Sequence, residues 1–187
     1  MDDQGVRLAE RIRGERESRA WSLDELGRRS GVSRAMISKI ERCEASPTAT
    51  VLVKLAGAFD LTLAGLIARA ANAGGRVVRA ADQPLWRDPA TGYLRRQIFA
   101  RADHPLELAR VELPAHARVN AGARTYLKTR HIVWVLEGLL IIEEGEEKHK
   151  LAAGDCLSFN LPAQITYANE TSGMCTYLVI VERSETA

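Results

Sequence analysis

Within one short stretch of this 187-residue chain, Ser33, Arg34, Ala35, Ser38, Lys39 and Arg42 follow one another at helical spacing. On a helix they gather on the face left open by Val32, Ile37 and Ile40, so that face becomes a row of hydroxyls and cations. Such groups suit phosphate oxygens, and the fork of Arg or the ammonium of Lys also matches the guanine edge in the major groove. The chemistry on offer is recognition of a nucleic acid rather than bond making.

The elements that must hold this row are legible around it. Leu23 and Leu26 give an apolar face to a first short helix, and Val32, Ile37 and Ile40 give one to a second. Ser22, three residues before Glu25, and Ser33, just before the second helix, are start signals that accept backbone N–H groups. Gly31 between them is free to adopt the left-handed conformation that turns the chain. Upstream, residues 6–19 read as a helix with Val6, Leu8, Ala9 and Ile12 inward. Arg13, Arg16 and Arg19 on its outer face suit either backbone phosphate or, more simply, pairing with neighbouring Glu residues on a solvated surface. Downstream, Ser46-Pro47-Thr48 introduces a helix running through Phe59, and Asp60-Leu61-Thr62 opens a fifth. Val51, Leu52, Leu55, Phe59, Leu63 and Leu66 are the expected core beneath the helix pair.

Over roughly residues 6–68 the chain resembles the Cro/repressor-type helix-turn-helix domains of the xenobiotic-response-element family. Leu26, Gly31, Val32, Ile37 and Ile40, with the later Ser-Pro and Leu-x-x-Leu segments, carry that likeness. The resemblance implies a five-helix, lambda-repressor-like DNA-binding domain. It places Arg34, Ala35 and Lys39 at base edges, and Ser22, Ser33, Ser38 and Arg42 at phosphates. Two positions depart from the family pattern: Gly27 stands where Ala is usual, and Cys43 where Gly often ends the recognition helix. A left-handed Cys43 would be strained by roughly 1–2 kcal/mol.

Length and composition fit two globular domains, with 46% hydrophobic and 27% charged residues. A net charge of +2 argues little by itself, but residues 11–42 hold nine Arg or Lys against five acids. Cys43, Cys156 and Cys175 lie far apart without CxxC or His partners and read as reduced, buried thiols of a cytoplasmic protein. The N-terminus has no signal-peptide character, and no apolar run is long enough to span a membrane. We divide the chain into a DNA-binding domain over 1–70, a linker over 71–82 with Gly74-Gly75 as hinge, and a second domain over 83–187.

That second part reads as all-β, with strands expected at 93–101, 106–113, 131–136, 139–143, 156–160, 165–169 and 176–182. Glu137-Gly138 and Glu144-Gly145-Glu146 look like hairpin turns, the acidic run 143–147 being a solvated tip. Trp86-Arg87-Asp88-Pro89 to Gly92-Tyr93 suits a cover for a barrel mouth or an ordinary interdomain turn. Val135-Leu136-Glu137-Gly138, Gly154-Asp155 and Asn169 make residues 80–183 resemble a cupin, a double-stranded β-helix barrel. Metal-binding cupins carry His-x-His, a carboxylate and a further His. Here those positions hold Arg124/Tyr126 or Thr125/Leu127, then His131, then Ile165, so one ligand of four remains. No metal, cofactor or catalytic residue is expected. His131 reads as a pocket hydrogen-bonding group, a core histidine or a remnant ligand, and His104, His116 and His149 as surface residues. Arg124, Tyr126, His131 and Tyr167 are the candidate polar groups of a small-molecule pocket, unless the barrel is filled and serves only to dimerise.

The whole reads as a sequence-specific regulator of transcription: double-stranded DNA as partner, a homodimer, an effector-binding or dimerising barrel, and no membrane association. The alternatives are a metal-dependent cupin dioxygenase or isomerase with an accessory DNA domain, and an antitoxin-like module that binds protein.

Overall fold

The computed structural model describes residues 3–70, 77–101, 104–121, 129–159 and 163–183. Five helices come first: α1 (Asp3–Ser18), α2 (Leu23–Ser30), α3 (Arg34–Glu41), α4 (Ala49–Ala58) and α5 (Leu63–Ala70). A 3-10 turn (Ala80–Asp82) precedes ten strands: β1 (Leu85–Arg87), β2 (Leu94–Ala100), β3 (Leu106–Leu113), β4 (Arg118–Ala121), β5 (Thr129–Glu137), β6 (Leu139–Glu144), β7 (Glu147–Ala152), β8 (Cys156–Ser158), β9 (Ile165–Ala168) and β10 (Cys175–Arg183).

Helix starts follow the hydroxyl signals. Ser22, Ser33 and Thr48 accept from the backbone N–H of Glu25, Met36 and Val51 at 3.1, 3.3 and 3.3 Å. Thr62 does the same for Gly65 at the head of α5, at 2.8 Å. Ile12, Leu26, Ile37, Ile40, Leu52, Leu55, Phe59 and Leu66 are buried together, whereas Val6 and Val51 are only half-buried. Arg16, on α1, is not a free outer cation: its fork holds Glu41 at the end of α3 at 2.7 and 2.8 Å, both side chains largely buried. Arg13 pairs with Glu17, and Arg19 with Glu15 and the Phe59 carbonyl.

All strand pairing is antiparallel, in two sheets. One runs β1-β2-β3-β10-β5-β8 and the other β4-β9-β6-β7. Short β1, β4 and β7 were not expected from the sequence, because each is too polar or too brief to show an alternating pattern. The expected hairpin at Glu137-Gly138 is instead a corner, since β5 and β6 belong to different sheets. Gly138 has φ +83°, and a Cβ there would stand 2.7 Å from the Met174 carbonyl, so the chain can change sheets only with glycine. The turn at Gly145 does close a hairpin, β6–β7. Its acidic run is not wholly solvated, for Glu143 bonds Arg118 at 2.6 Å. Cys175 is buried, but Cys43 is half-buried and Cys156 exposed, so burial is not shared by all three thiols. Of the expected surface histidines, His116 is exposed, while His104 and His149 are half-buried. Gly74 and Gly75 lie outside the described residues.

Helices and barrel share one buried apolar cluster. Polar contacts fasten the seam. Asp88 caps α4 from the other half of the chain, its Oδ1 accepting from Ala49 N–H at 2.9 Å while Oδ2 accepts from Thr91. A carboxylate at a helix N-terminus also meets the positive end of the helix dipole. Thr62, at the head of α5, donates to the buried carboxylate of Glu107 on β3, which lies 3.5 Å from Arg183. The segment Trp86 to Tyr93 therefore braces a helix as well as forming a turn.

Candidate nucleic-acid interface and barrel cavity

Helix α3 shows solvent a face made of Arg34, Ala35, Met36 and Lys39, while Ile37 and Ile40 anchor it from below. No acidic residue occupies its first turn, leaving the positive end of the helix dipole open. Arg34 is exposed and lies only 3.4 Å from the exposed Asp24, a weak surface pair that a stronger partner displaces. Ser22 and Ser33 sit at the starts of α2 and α3 with oxygens engaged as caps, and each keeps its hydroxyl proton to donate. Ser38 accepts from Arg42 Nη1 at 2.8 Å, and Arg42 also holds Glu44 through Nε and Nη2 at 2.7 and 2.9 Å. A phosphate contact by Arg42 therefore competes with an exposed carboxylate.

Met36 joins this face, though it is not among the residues expected there from the sequence. It is 38% exposed on the open face of α3, and its apolar tip suits a thymine methyl. Its signal was being the single large apolar residue of that segment off the buried stripe.

Aromatic and cationic groups set the pose of this unit. Trp21 stacks on Phe59 with ring centres 5.9 Å apart, and the Arg29 guanidinium lies 4.3 Å from the centre of the Trp21 ring. The turn into α2 is thereby tied to the end of α4. Cys43 is indeed left-handed, with φ 60°. The N–H groups of Cys43 and Glu44 reach back to the carbonyls of Ile40 and Lys39 at 2.9 and 2.8 Å, closing α3 in a Schellman-type cap.

The second site is a cavity of about 60 Å³. Barrel strands supply Arg95, His131, Tyr167 and Tyr177, while Ala49 and Val53 of α4 and Leu63 of α5 supply wall from the helical side. His131 and Tyr167, both expected as pocket groups, face it; Arg124 and Tyr126 lie outside the described residues. Alternation along β5 aims His131, Val133 and Val135 inward, with Arg130, Ile132 and Trp134 outward. His131 Nε2 meets Thr129 Oγ1 at 2.7 Å. Burial, and secondarily the nearby Arg95 charge, hold its imidazole down to about 3. It is therefore neutral at ordinary pH. Tyr167 stacks on Tyr177 at 5.8 Å, and burial together with its tyrosine neighbours pushes the Tyr177 phenol well above its ordinary range.

Arg95 was missed. It is 6% exposed, and the sequence Leu94-Arg95-Arg96-Gln97 gives no hydrophobic alternation to show which arginine turns inward. Parity with Tyr93 and Gln97, both buried, was the available clue.

Among the described residues the cavity offers a catalytic metal one imidazole and no carboxylate or thiolate: His131 stands beside a guanidinium, Ile165 occupies the position that the cupin resemblance gives to a fourth ligand, and no three His, Cys, Asp or Glu side chains form a metal-holding group.

Residues 12–66 match the helix-turn-helix family HTH_3. The HTH-type transcriptional regulator SutR of Escherichia coli K12 is 36% identical over 67 residues, which is 36% of this chain and 38% of the relative. The chain thus matches well under half the length of that curated protein. Among solved structures, an HTH_3 family transcriptional regulator from Vibrio cholerae superposes with TM-score 0.80 at 24% identity over 97% of both chains. The Cupin_2 domain of an XRE family transcriptional regulator from Enterobacter cloacae aligns with TM-score 0.46 and 14% identity over 50% of this chain and 98% of that one. Residues 12–66 thus match the HTH_3 family of helix-turn-helix domains, and the chain continues from them into a domain of two antiparallel sheets, the whole sharing its fold with the Vibrio cholerae regulator.

Proposed function

We propose that the chain is a sequence-specific, DNA-binding regulator of transcription that acts in the cytoplasm as a homodimer, is not an enzyme, and takes a small effector into its barrel. The observation that carries this is the exposed face of α3, with Arg34, Ala35, Met36 and Lys39 presented beyond a helix start free of acids. Arg34 and Lys39 reach base edges; Ser22, Ser33, Ser38 and Arg42 position the backbone. One such helix covers few base pairs, so tight binding requires two half-sites about 34 Å apart and hence two copies of the chain.

The effector reading is supported by where the cavity lies. Ala49, Val53 and Leu63 belong to helices that also carry the recognition unit, so a ligand among them bears on those helices directly. Any shift in DNA affinity then equals the ligand's preference for one arrangement of helices over the other. Selection of bound duplexes from a random pool with the intact chain tests the reading: recovery of a palindromic motif supports it, and a pool that stays random counts against it. Metal analysis separates the enzymatic alternative, which requires one tightly held ion per chain.

A further inference from the structure

We propose that the barrel cavity is an anion-binding site in which Arg95 receives the carboxylate, sulfate or phosphate head of a compact effector. A guanidinium stays charged in proteins even when buried, and removing an unpaired charge from water costs several kcal/mol. Arg95 is 6% exposed, lines the cavity, and has its Nε buried without a hydrogen-bond partner. Among the described residues no carboxylate pairs with it. Two groups that feel its charge do not neutralise it: His131 is neutral and Tyr177 keeps its proton. The stretch 122–128 between β4 and β5 contains Arg124 and Lys128 and no acid. The largely buried fork of Arg16, by contrast, is held by Glu41.

Size narrows the ligand. A cavity of roughly 10–15 Å³ holds one water, and about 60 Å³ therefore admits a head group of a few heavy atoms rather than a nucleotide. Tyr167 and Tyr177 add aromatic surface, and Val53 and Leu63 an apolar end, so a small organic acid or an inorganic oxyanion fits the lining.

This inference deepens the effector part of the proposed function and rests on it only in calling the ligand an effector. Its test contains no DNA, so its failure leaves the DNA reading standing, and loss of the DNA reading leaves the anion site. The melting temperature of the intact chain is followed at fixed ionic strength while chloride is exchanged for acetate, sulfate or phosphate, in the wild type, Arg95→Met and the exposed-cation control Arg130→Met. Sulfate and phosphate stabilise most proteins by exclusion from the surface, an effect that grows without saturating. A site instead gives a saturating rise of about 3 °C or more at millimolar anion. That rise is expected in the wild type and Arg130→Met and lost in Arg95→Met, whose anion-free melting point equals or exceeds the wild type's. Acetate alone active identifies a carboxylate head; sulfate or phosphate active identifies a tetrahedral one. If Arg95→Met does not fold, Arg95→Gln takes its place with the same expected loss. No saturating rise with any of the three anions in the wild type, or an unchanged rise in the neutral variant, overturns the site.

Discussion

Cys43 shows how a single backbone angle sets a local stability. Its left-handed φ of 60° lets the Schellman cap close α3, at a steric cost glycine does not carry. Cys43→Gly is expected to stabilise the chain by about 0.5–1 kcal/mol once the greater freedom of glycine in the unfolded chain is subtracted, about 2 °C in melting temperature. A lower melting temperature would show the cap to be unstrained. Burial of His131 ties stability to pH. Its folded-state value near 3 lies below the ordinary 6.5, so the unfolded chain binds the extra proton between those limits. Stability is then fully present above about pH 6.5 and falls as pH drops toward 3, by at most about 1.4 kcal/mol per unit. His131→Gln should flatten that part of a urea-melt pH series, and an unchanged slope would contradict the burial of a neutral imidazole. His131 and Tyr167 were legible because strand alternation names inward positions. Arg95 was not, because burying an arginine contradicts the rule by which alternation is read.

Among elements, the start of α4 matters most, because its cap comes from the far side of the molecule. Asp88→Ala removes the acceptor of the Ala49 N–H and of Thr91, for a cost of about 1.5–3 kcal/mol. Amide exchange at Ala49 should accelerate with it. An unchanged exchange rate would mean that apolar contact alone seats α4 on the barrel. The five helices were legible from caps and a 3.6-residue period, since hydroxyl starts at Ser22, Ser33 and Thr48 are local signals. The seam was not. Asp88 and Glu107 look like ordinary surface acids in sequence, and only the fold brings them to the heads of α4 and α5. For the same reason Glu137-Gly138 resembled a hairpin: a corner between sheets and a turn within one use the same residues.

At the scale of the whole molecule, the outer face of the six-stranded sheet carries large apolar side chains in solvent. Ile132, Trp134 and Leu136 on β5 are 38%, 45% and 40% exposed, and Leu178 and Ile180 stand opposite Trp134 and Ile132 on β10. A contiguous apolar strip of this kind suits association with a second copy, which the proposed reading of two half-sites requires. Trp134→Glu is expected to yield monomers by sedimentation and to weaken operator binding steeply, with the barrel still folded because the side chain points outward. Dimers persisting in that variant would place the interface elsewhere.

We propose that the open face of α3 reads base edges in a duplex. Competition titration of the wild type and Arg34→Ala against the selected operator and its single-base variants decides the matter. The variant should lose about 1–3 kcal/mol on the operator and stop discriminating at one base position per half-site. Equal affinity of both proteins, with the same base preferences, would contradict it.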